Sequence, residues 1–185
     1  MKSVISAIGI AAVSLFALNA HAADGTISFT GTVTDTTCSI NGNAAGTPAD
    51  VAVTLPTVPA SALVNAGDTA GVSGPSDITF ALSGCTGAAT KAVARFENGP
   101  TVDPTSGNLI NQATTGGATN VQVQLLNSDF QPINITTNSN NQLAANGAAI
   151  TGGVADLTYY GQYFSTGGAT AGAVDTSVQY TMDYQ

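Results

Sequence analysis

The chain has 185 residues, with 11 acidic and 3 basic side chains, so its net charge is −8 at pH 7. This balance excludes a nucleic-acid-binding protein, which needs lysine and arginine to displace counterions from phosphates. The chain contains one histidine, His21, and two cysteines, which leaves few ways to build a catalytic or metal-binding site.

Residues 1–22 have the features of a secretory signal peptide. Lys2 gives a positive start, residues 4–18 form an uncharged apolar run, and Ala20-His21-Ala22 is a small-x-small cleavage site. The run is shorter than the roughly 20 apolar residues of a membrane-spanning helix. We therefore expect cleavage before Ala23, export without membrane insertion, and one soluble domain.

Residues 24–37 alternate between apolar and hydroxyl-bearing side chains. Ile27, Phe29 and Val33 occupy odd positions together with Gly31, while serine and threonine occupy the even positions from 26 to 34. Alternation places these two sets on opposite faces of an extended chain. The apolar face must be covered by a sheet, which belongs either to this molecule or to another one.

Further short runs of alternating apolar residues follow along the chain, separated by turn signals rich in Asn and Gly. The predicted strands include Val51, Val53 and Leu55; Ile78, Phe80 and Leu82; Ala92, Ala94 and Phe96; Val121, Val123 and Leu125; Ile133 and Ile135; and residues 154–164, with one helical turn over 59–64. This spacing predicts an all-β, immunoglobulin-like antiparallel β-sandwich.

Cys38 and Cys85 are expected to form one disulfide, since they are the two cysteines of an exported chain. A redox-active pair normally needs close spacing and a nearby cation, and this pair has neither.

The last segment, 172–185, is an amphipathic strand by its pattern. Val174, Val178, Tyr180, Met182 and Tyr184 share one parity, and Thr176 breaks the apolar set. Chain ends usually fray, so this pattern indicates that the segment is held by a partner element.

No enzymatic chemistry is predicted. Ser-His-Asp and Cys-His arrangements and imidazole metal sites need histidine, and residues 23–185 contain none. The acidic residues are scattered over turns and polar faces, without the spacing of a calcium-binding EF-hand. We therefore expect no catalytic residues, no metal and no cofactor.

Taken together, these features resemble the major structural subunits (pilins) of type 1-like fimbriae, which are assembled by the chaperone–usher route. The resemblance is carried by the alternating extension before Cys38, by Ser83-Gly84-Cys85-Thr86, and by the ending with Gly172 fourteenth from the end and Tyr184 penultimate. Further matches are the motifs at 99–103, 107–111 and 121–127.

The resemblance implies a sandwich that lacks its last strand and is completed by donor-strand exchange. Residues 23–37 would be the donor-strand extension and 38–185 the pilin domain. The implied donor residues are Ile27, Phe29, Gly31 and Val33, with Gly31 at the point where a side chain would collide with the groove.

It also implies that a periplasmic chaperone binds the C-terminal strand and that an outer-membrane usher follows. The implied contact residues are Gly172, Val174, Val178, Tyr180, Met182, Tyr184 and Gln185, whose terminal carboxylate would meet basic chaperone residues. Identical subunits would then form a head-to-tail extracellular fimbria used for adhesion and biofilm formation. The alternatives are a minor or tip adaptor pilin that binds a receptor, and a monomeric secreted immunoglobulin-like binding domain.

Overall fold

The computed structural model describes Ser28, Thr30 and residues 35–185. The predicted signal peptide, Ile27, Phe29, Gly31 and Val33 lie outside the described residues. Within 35–185, two short helical turns cover Ala60–Ala62 (3-10) and Leu143–Asn146 (α1). The strands are β1 Ser39–Ile40, β2 Thr69–Ala70, β3 Ile78–Ser83, β4 Lys91–Phe96, β5 Leu109–Ile110, β6 Val121–Leu126, β7 Ala148–Ala149, β8 Ala155–Ser165 and β9 Tyr180–Tyr184.

The strands form two sheets. The larger sheet has the order β1-β3-β8-β6-β5, with β2 also paired to β8, and the smaller has the order β7-β4-β9. All these named strand pairs are antiparallel. The prediction of an all-β antiparallel fold is therefore confirmed, and the arrangement is consistent with an immunoglobulin-like sandwich.

The core lies between the sheets and follows the sequence alternation. On β3, Ile78, Phe80 and Leu82 are buried while Ala81 and Ser83 are exposed. Strand β4 of the smaller sheet and strands β6 and β8 of the same sheet as β3 add residues to this cluster, among them Phe96, Leu125, Leu157 and Tyr159. Each buried side chain of this size stabilises the fold by roughly 1.5–3 kcal/mol, which explains why the period-2 pattern identifies these strands.

Two predicted strands are absent from the described residues. Residues 51–55 form no ladder with any described residue, and residues 133–135 contribute only an isolated bridge at Asn134. Ile133 and Ile135 are nevertheless buried in the main cluster. In both cases the apolar positions are right but the strand assignment is wrong, because a strand also needs a continuous ladder. Ile133 and Ile135 each donate a single backbone hydrogen bond, to the Leu125 and Gly107 carbonyl oxygens.

The outer face of β6 and β8 is also covered, which the sequence pattern did not indicate. A chain of amides crosses it: Gln162 Nε2 donates to Gln124 Oε1 at 2.9 Å, Gln124 Nε2 to Asn108 Oδ1 at 3.3 Å, and Asn108 Nδ2 to Gln122 Oε1 at 3.2 Å. All four residues are buried. Satisfying buried amides in this way avoids the cost of unpaired polar groups and fixes the 103–108 loop over the sheet.

Tyr159 joins the two sheets. Its ring packs edge-on against Phe80 and Phe96, with centroids at 6.0 and 5.1 Å, and its hydroxyl oxygen accepts a hydrogen bond from the Ala94 N–H at 3.0 Å. Burial raises the pKa of Tyr159 from 10.0 to about 12, and the bond from Ala94 acts in the opposite direction. The phenol is therefore held neutral inside the core.

Replacing Tyr159 with phenylalanine should lower the free energy of unfolding by about 1–3 kcal/mol, because the buried Ala94 N–H loses its acceptor. Chemical denaturation of the purified wild type and variant would measure this loss. The matched control is Tyr160→Phe: the neighbouring hydroxyl makes no hydrogen bond among the described residues, so stability should change little.

The pH dependence of stability provides an independent readout. Because the folded-state pKa is raised, the stabilising contribution of Tyr159 is complete below its unfolded pKa near 10 and is lost as the pH rises through 12. Wild type should thus lose about 3 kcal/mol more than Tyr159→Phe over this range. Equal alkaline losses in both proteins would contradict the assignment.

Candidate functional site: an open groove beside the C-terminal segment

A long groove of about 1190 Å³ opens into the core of the sandwich. One wall is the segment 174–182 with Tyr184, and the other runs from 45 to 55. Its floor is made of core side chains from both sheets, including Phe80, Phe96 and Leu125. The groove therefore reaches the hydrophobic core along one edge, although its floor side chains are themselves buried.

In the C-terminal wall, alternate side chains face the core as the sequence predicts. Val174, Val178, Tyr180, Met182 and Tyr184 are partly buried and pack against the core cluster. Their neighbours Asp175, Ser177, Gln179 and Thr181 are exposed. The segment thus presents one apolar face to the groove, although only Tyr180–Tyr184 is a paired strand, in register with β4. The prediction of one strand over the whole of 172–185 is therefore wrong for residues 172–179.

Residues 51–55 belong to the opposite wall of the groove, where they pack without forming a strand among the described residues. Val51 and Leu55 pack against the core, and Val53 is 37% exposed at the rim. The backbone of 51–59 is assigned to no strand, turn or helix. This apolar, alternating segment has the composition of a sheet strand but pairs with no neighbour within residues 35–185.

Tyr180 spans the groove from wall to wall. Its hydroxyl donates a hydrogen bond to the Ala49 carbonyl oxygen at 2.7 Å, and its ring lies 4.5 Å from that of Phe80. Burial, with a smaller contribution from Asp50, raises the pKa of Tyr180. Close by, the Thr176 hydroxyl is buried without a hydrogen-bond partner among the described residues. Neither the hydrogen bond from Tyr180 to Ala49 nor the packing of Tyr180 against Phe80 could be identified from the sequence.

Gly172 and Gln185 have structural roles at the two ends of this wall. A Cβ on Gly172 would lie 2.7 Å from the Gly116 carbonyl oxygen, so only glycine allows the backbones to approach this closely. A main-chain oxygen of Gln185 accepts hydrogen bonds from the Thr90 and Lys91 N–H groups, and the Gln185 N–H donates to the Lys91 carbonyl oxygen. Pairing with the beginning of β4 therefore continues through Gln185.

The disulfide prediction is confirmed. Cys38 and Cys85 are bonded, with a sulfur–sulfur distance of 2.12 Å. Cys38 also lines the groove. The bond thus attaches the chain entering the 45–55 wall to the end of β3. Beside it, the Thr86 N–H donates to the Thr37 carbonyl at 2.9 Å, and the two threonine hydroxyls are 3.0 Å apart.

The groove suits an extended apolar segment better than a small polar substrate. Among residues 35–185, no three His, Cys, Asp or Glu side chains gather to hold a metal ion, and no helix there is long and apolar enough to cross a membrane. What the groove offers is apolar side chains between two backbone walls. Such an edge is suited to β-augmentation, in which an added strand supplies both hydrogen bonds and side chains.

Comparison with known proteins identifies the family. Residues 55–185 match the model of the type-1 fimbrial protein A family. Over 172 residues the chain is 43% identical to the major fimbrial subunit SMF-1 of Stenotrophomonas maltophilia, covering 90% of this chain and 96% of that protein. It is also 40% identical to the F17 fimbrial protein of Escherichia coli, covering 88% of each.

Solved structures agree at the level of the fold. A chaperone–usher pilus structure aligns with a TM-score of 0.57 at 23% identity, covering 88% of this chain and 96% of that one. An antigen and type I fimbria protein of Burkholderia pseudomallei aligns with a TM-score of 0.51 at 22% identity, covering 82% and 97%. The chain therefore belongs to the type-1 fimbrial protein family and is a structural, non-enzymatic subunit of a fimbria.

Proposed function

We propose that the groove receives residues 23–37 of another copy of this chain, so that the subunits polymerise head to tail by donor-strand complementation. The observation that carries this proposal is the open core between the 45–55 wall and the C-terminal wall. The groove leaves apolar side chains such as Val53 exposed at its rim, and exposed apolar patches usually mark interaction sites.

The sequence of the extension suits this groove in length and pattern. At about 3.3 Å per residue, the twelve residues 24–35 would span about 40 Å when extended, and eleven residues such as 174–184 would span about 36 Å in the same conformation. Ile27, Phe29 and Val33 would enter the groove, while the serines and threonines between them would face solvent. Gly31 would pass where the groove is too tight for a side chain.

The C-terminal wall is also the surface that an escort protein must cover before assembly. A periplasmic chaperone would protect the apolar face of 172–185, using Val178, Tyr180 and Met182 as its main contacts, and an outer-membrane usher would then exchange it for the next subunit. The signal peptide at 1–22 would direct the chain into this route. The product would be an extracellular fimbria that supports adhesion and biofilm formation.

Peptide complementation tests the proposal. A chain lacking residues 23–37 should gain stability when a synthetic peptide with the sequence of 24–35 is added, because a ligand that binds only the folded state stabilises it by mass action. At a thousand times the dissociation constant the gain is about 4 kcal/mol, which corresponds to about 10 °C in melting temperature for a domain of this size.

The control is a peptide of the same composition in which the alternation is destroyed, and it should produce no comparable shift. If the truncated chain is fully stable alone and neither peptide changes its melting temperature, then the chain is a self-sufficient domain. That outcome would rule out donor-strand complementation while leaving the family assignment unchanged.

A further inference from the structure

The turn after β6 is tightly organised around one buried side chain. Asn127 Oδ1 accepts hydrogen bonds from the Asp129 and Gln131 N–H groups at 2.9 Å each, and its Nδ2 donates to the Asn140 carbonyl oxygen at 3.1 Å. The Phe130 N–H donates to the Asn127 carbonyl oxygen at 3.0 Å. This turn, 127–131, is therefore a rigid element.

The turn holds Phe130 in an unusual position. Its φ is +58°, in the left-handed region, which costs a bulky side chain energy that glycine or asparagine largely avoids. Its side chain is not buried in return, since Phe130 is 55% exposed. Backbone strain that persists at an exposed aromatic residue points to a function for that residue.

The Phe130 ring is presented as a flat surface. It stacks on Tyr160 with centroids 4.4 Å apart and an interplanar angle of 23°, so Tyr160 takes one of its faces. Tyr160 is fixed in turn by its pairing with Leu126 in the β6–β8 ladder. The other face of Phe130 is thus left toward solvent on a supported platform.

We propose that this platform, Phe130 stacked on Tyr160, binds an arginine or lysine side chain of a basic partner protein. A cation placed over an aromatic face is attracted by the ring quadrupole. The exposed Asp129 adjoins Phe130 in the chain, and exposed Asp156 lies on the Tyr160 side of β8, about 13 Å along the strand. The net charge of −8 adds long-range attraction for a cation.

The same charges argue against a second copy of this chain as the partner. In the described residues the cations are Lys91 and Arg95, and both lie on β4. Lys91 Nζ donates to the Ala144 carbonyl oxygen at 2.6 Å, and Arg95 lies 4.0 Å from Asp183. A neighbouring subunit therefore has little cationic surface to offer, whereas a basic partner protein has it in abundance.

The test uses purified fimbriae and the peptide Gly-Arg-Gly-Arg-Gly-Arg-Gly. In saturation-transfer NMR, wild-type fimbriae should transfer magnetisation strongly to the arginine δ-methylene protons. Phe130→Asn removes the ring and keeps a residue that tolerates the left-handed turn, so it should lose this transfer and bind the peptide three- to five-fold more weakly. Phe130→Tyr, which keeps the ring, should bind like the wild type.

Val154→Ala is the matched control for lost apolar surface, because Val154 is 53% exposed, and it should leave binding unchanged. Equal transfer and affinity in wild type and Phe130→Asn would overturn the proposal, since charge alone would then explain binding. Failure of Phe130→Asn to form fimbriae would also overturn it, by showing that the ring is a subunit contact. The proposal would also be overturned if the fimbriae bound a neutral sugar such as maltose in a ring-dependent way and did not bind the peptide.

Discussion

A Gly31→Leu variant is expected to reduce filament growth strongly while the subunit domain itself still folds. In the proposed complex Gly31 passes the tightest part of the groove, and a leucine side chain there would have to displace packed core residues. Overpacking of this kind costs about 1–3 kcal/mol, which reduces the equilibrium for strand insertion by about 5- to 150-fold. The measurement is the yield of heat-sensitive polymer ladders on denaturing gels, together with electron microscopy of the cells.

The adjacent residue provides the matched control. Thr30→Leu adds similar bulk at the opposite parity, where the side chain would face away from the groove, so this variant should polymerise at close to the wild-type level. Normal fimbriae from Gly31→Leu would show that nothing packs closely at residue 31. Loss of fimbriae in both variants would mean that bulk anywhere in the extension is harmful, which contradicts the parity assignment.

Strand prediction succeeded where two requirements coincided. Residues 78–83, 91–96 and 121–126 combine alternating apolar side chains with neighbours that complete their hydrogen bonds. Residues 51–55 have the same alternation but lie beside the groove, and no described segment pairs with them, so the pattern overstates their regularity. The alternation of apolar residues indicates which side chains are buried, whereas the pairing of strands depends on the rest of the fold.

The sequence predicted which residues of the C-terminal segment face the groove, but it did not predict the residues that they contact. The apolar positions of the C-terminal segment face the groove as their alternation indicates. The bond between the Tyr180 hydroxyl and the Ala49 carbonyl joins residues that are 131 positions apart. No local pattern specifies such a pair, because it depends on how the two walls are placed across the open core.

The aromatic residues illustrate the same limit. Tyr159 and Tyr160 are adjacent, so alternation requires that they face opposite sides of β8 but does not say which side is the core. The structure places Tyr159 between the sheets and Tyr160 under Phe130. Phe130 itself follows Asn-Ser-Asp, a sequence typical of a turn, and nothing in that sequence indicates that an aromatic ring is held outward.

Removal of the disulfide by the double replacement Cys38→Ser with Cys85→Ser should lower the free energy of unfolding by about 4 kcal/mol. The bond joins residues 47 positions apart, and closing a loop of this length restricts the unfolded chain by about that amount in the chain-entropy model. Because the bond also attaches the start of one groove wall to β3, the variant should form fewer fimbriae. Denaturation of the strand-complemented subunit would measure the loss.

Thr37→Val separates the disulfide from its surroundings. It removes the hydroxyl contact with Thr86 beside the bond but leaves the Cys38–Cys85 linkage intact, and the loss of one exposed hydrogen bond should cost no more than about 1 kcal/mol. If Thr37→Val and the double cysteine variant were destabilised equally, the local packing, rather than the covalent link, would be holding the wall to β3. A much larger loss of unfolding free energy in the double cysteine variant would assign the stabilisation to the covalent link. The link acts by restricting the unfolded chain, in which neither wall of the groove is formed.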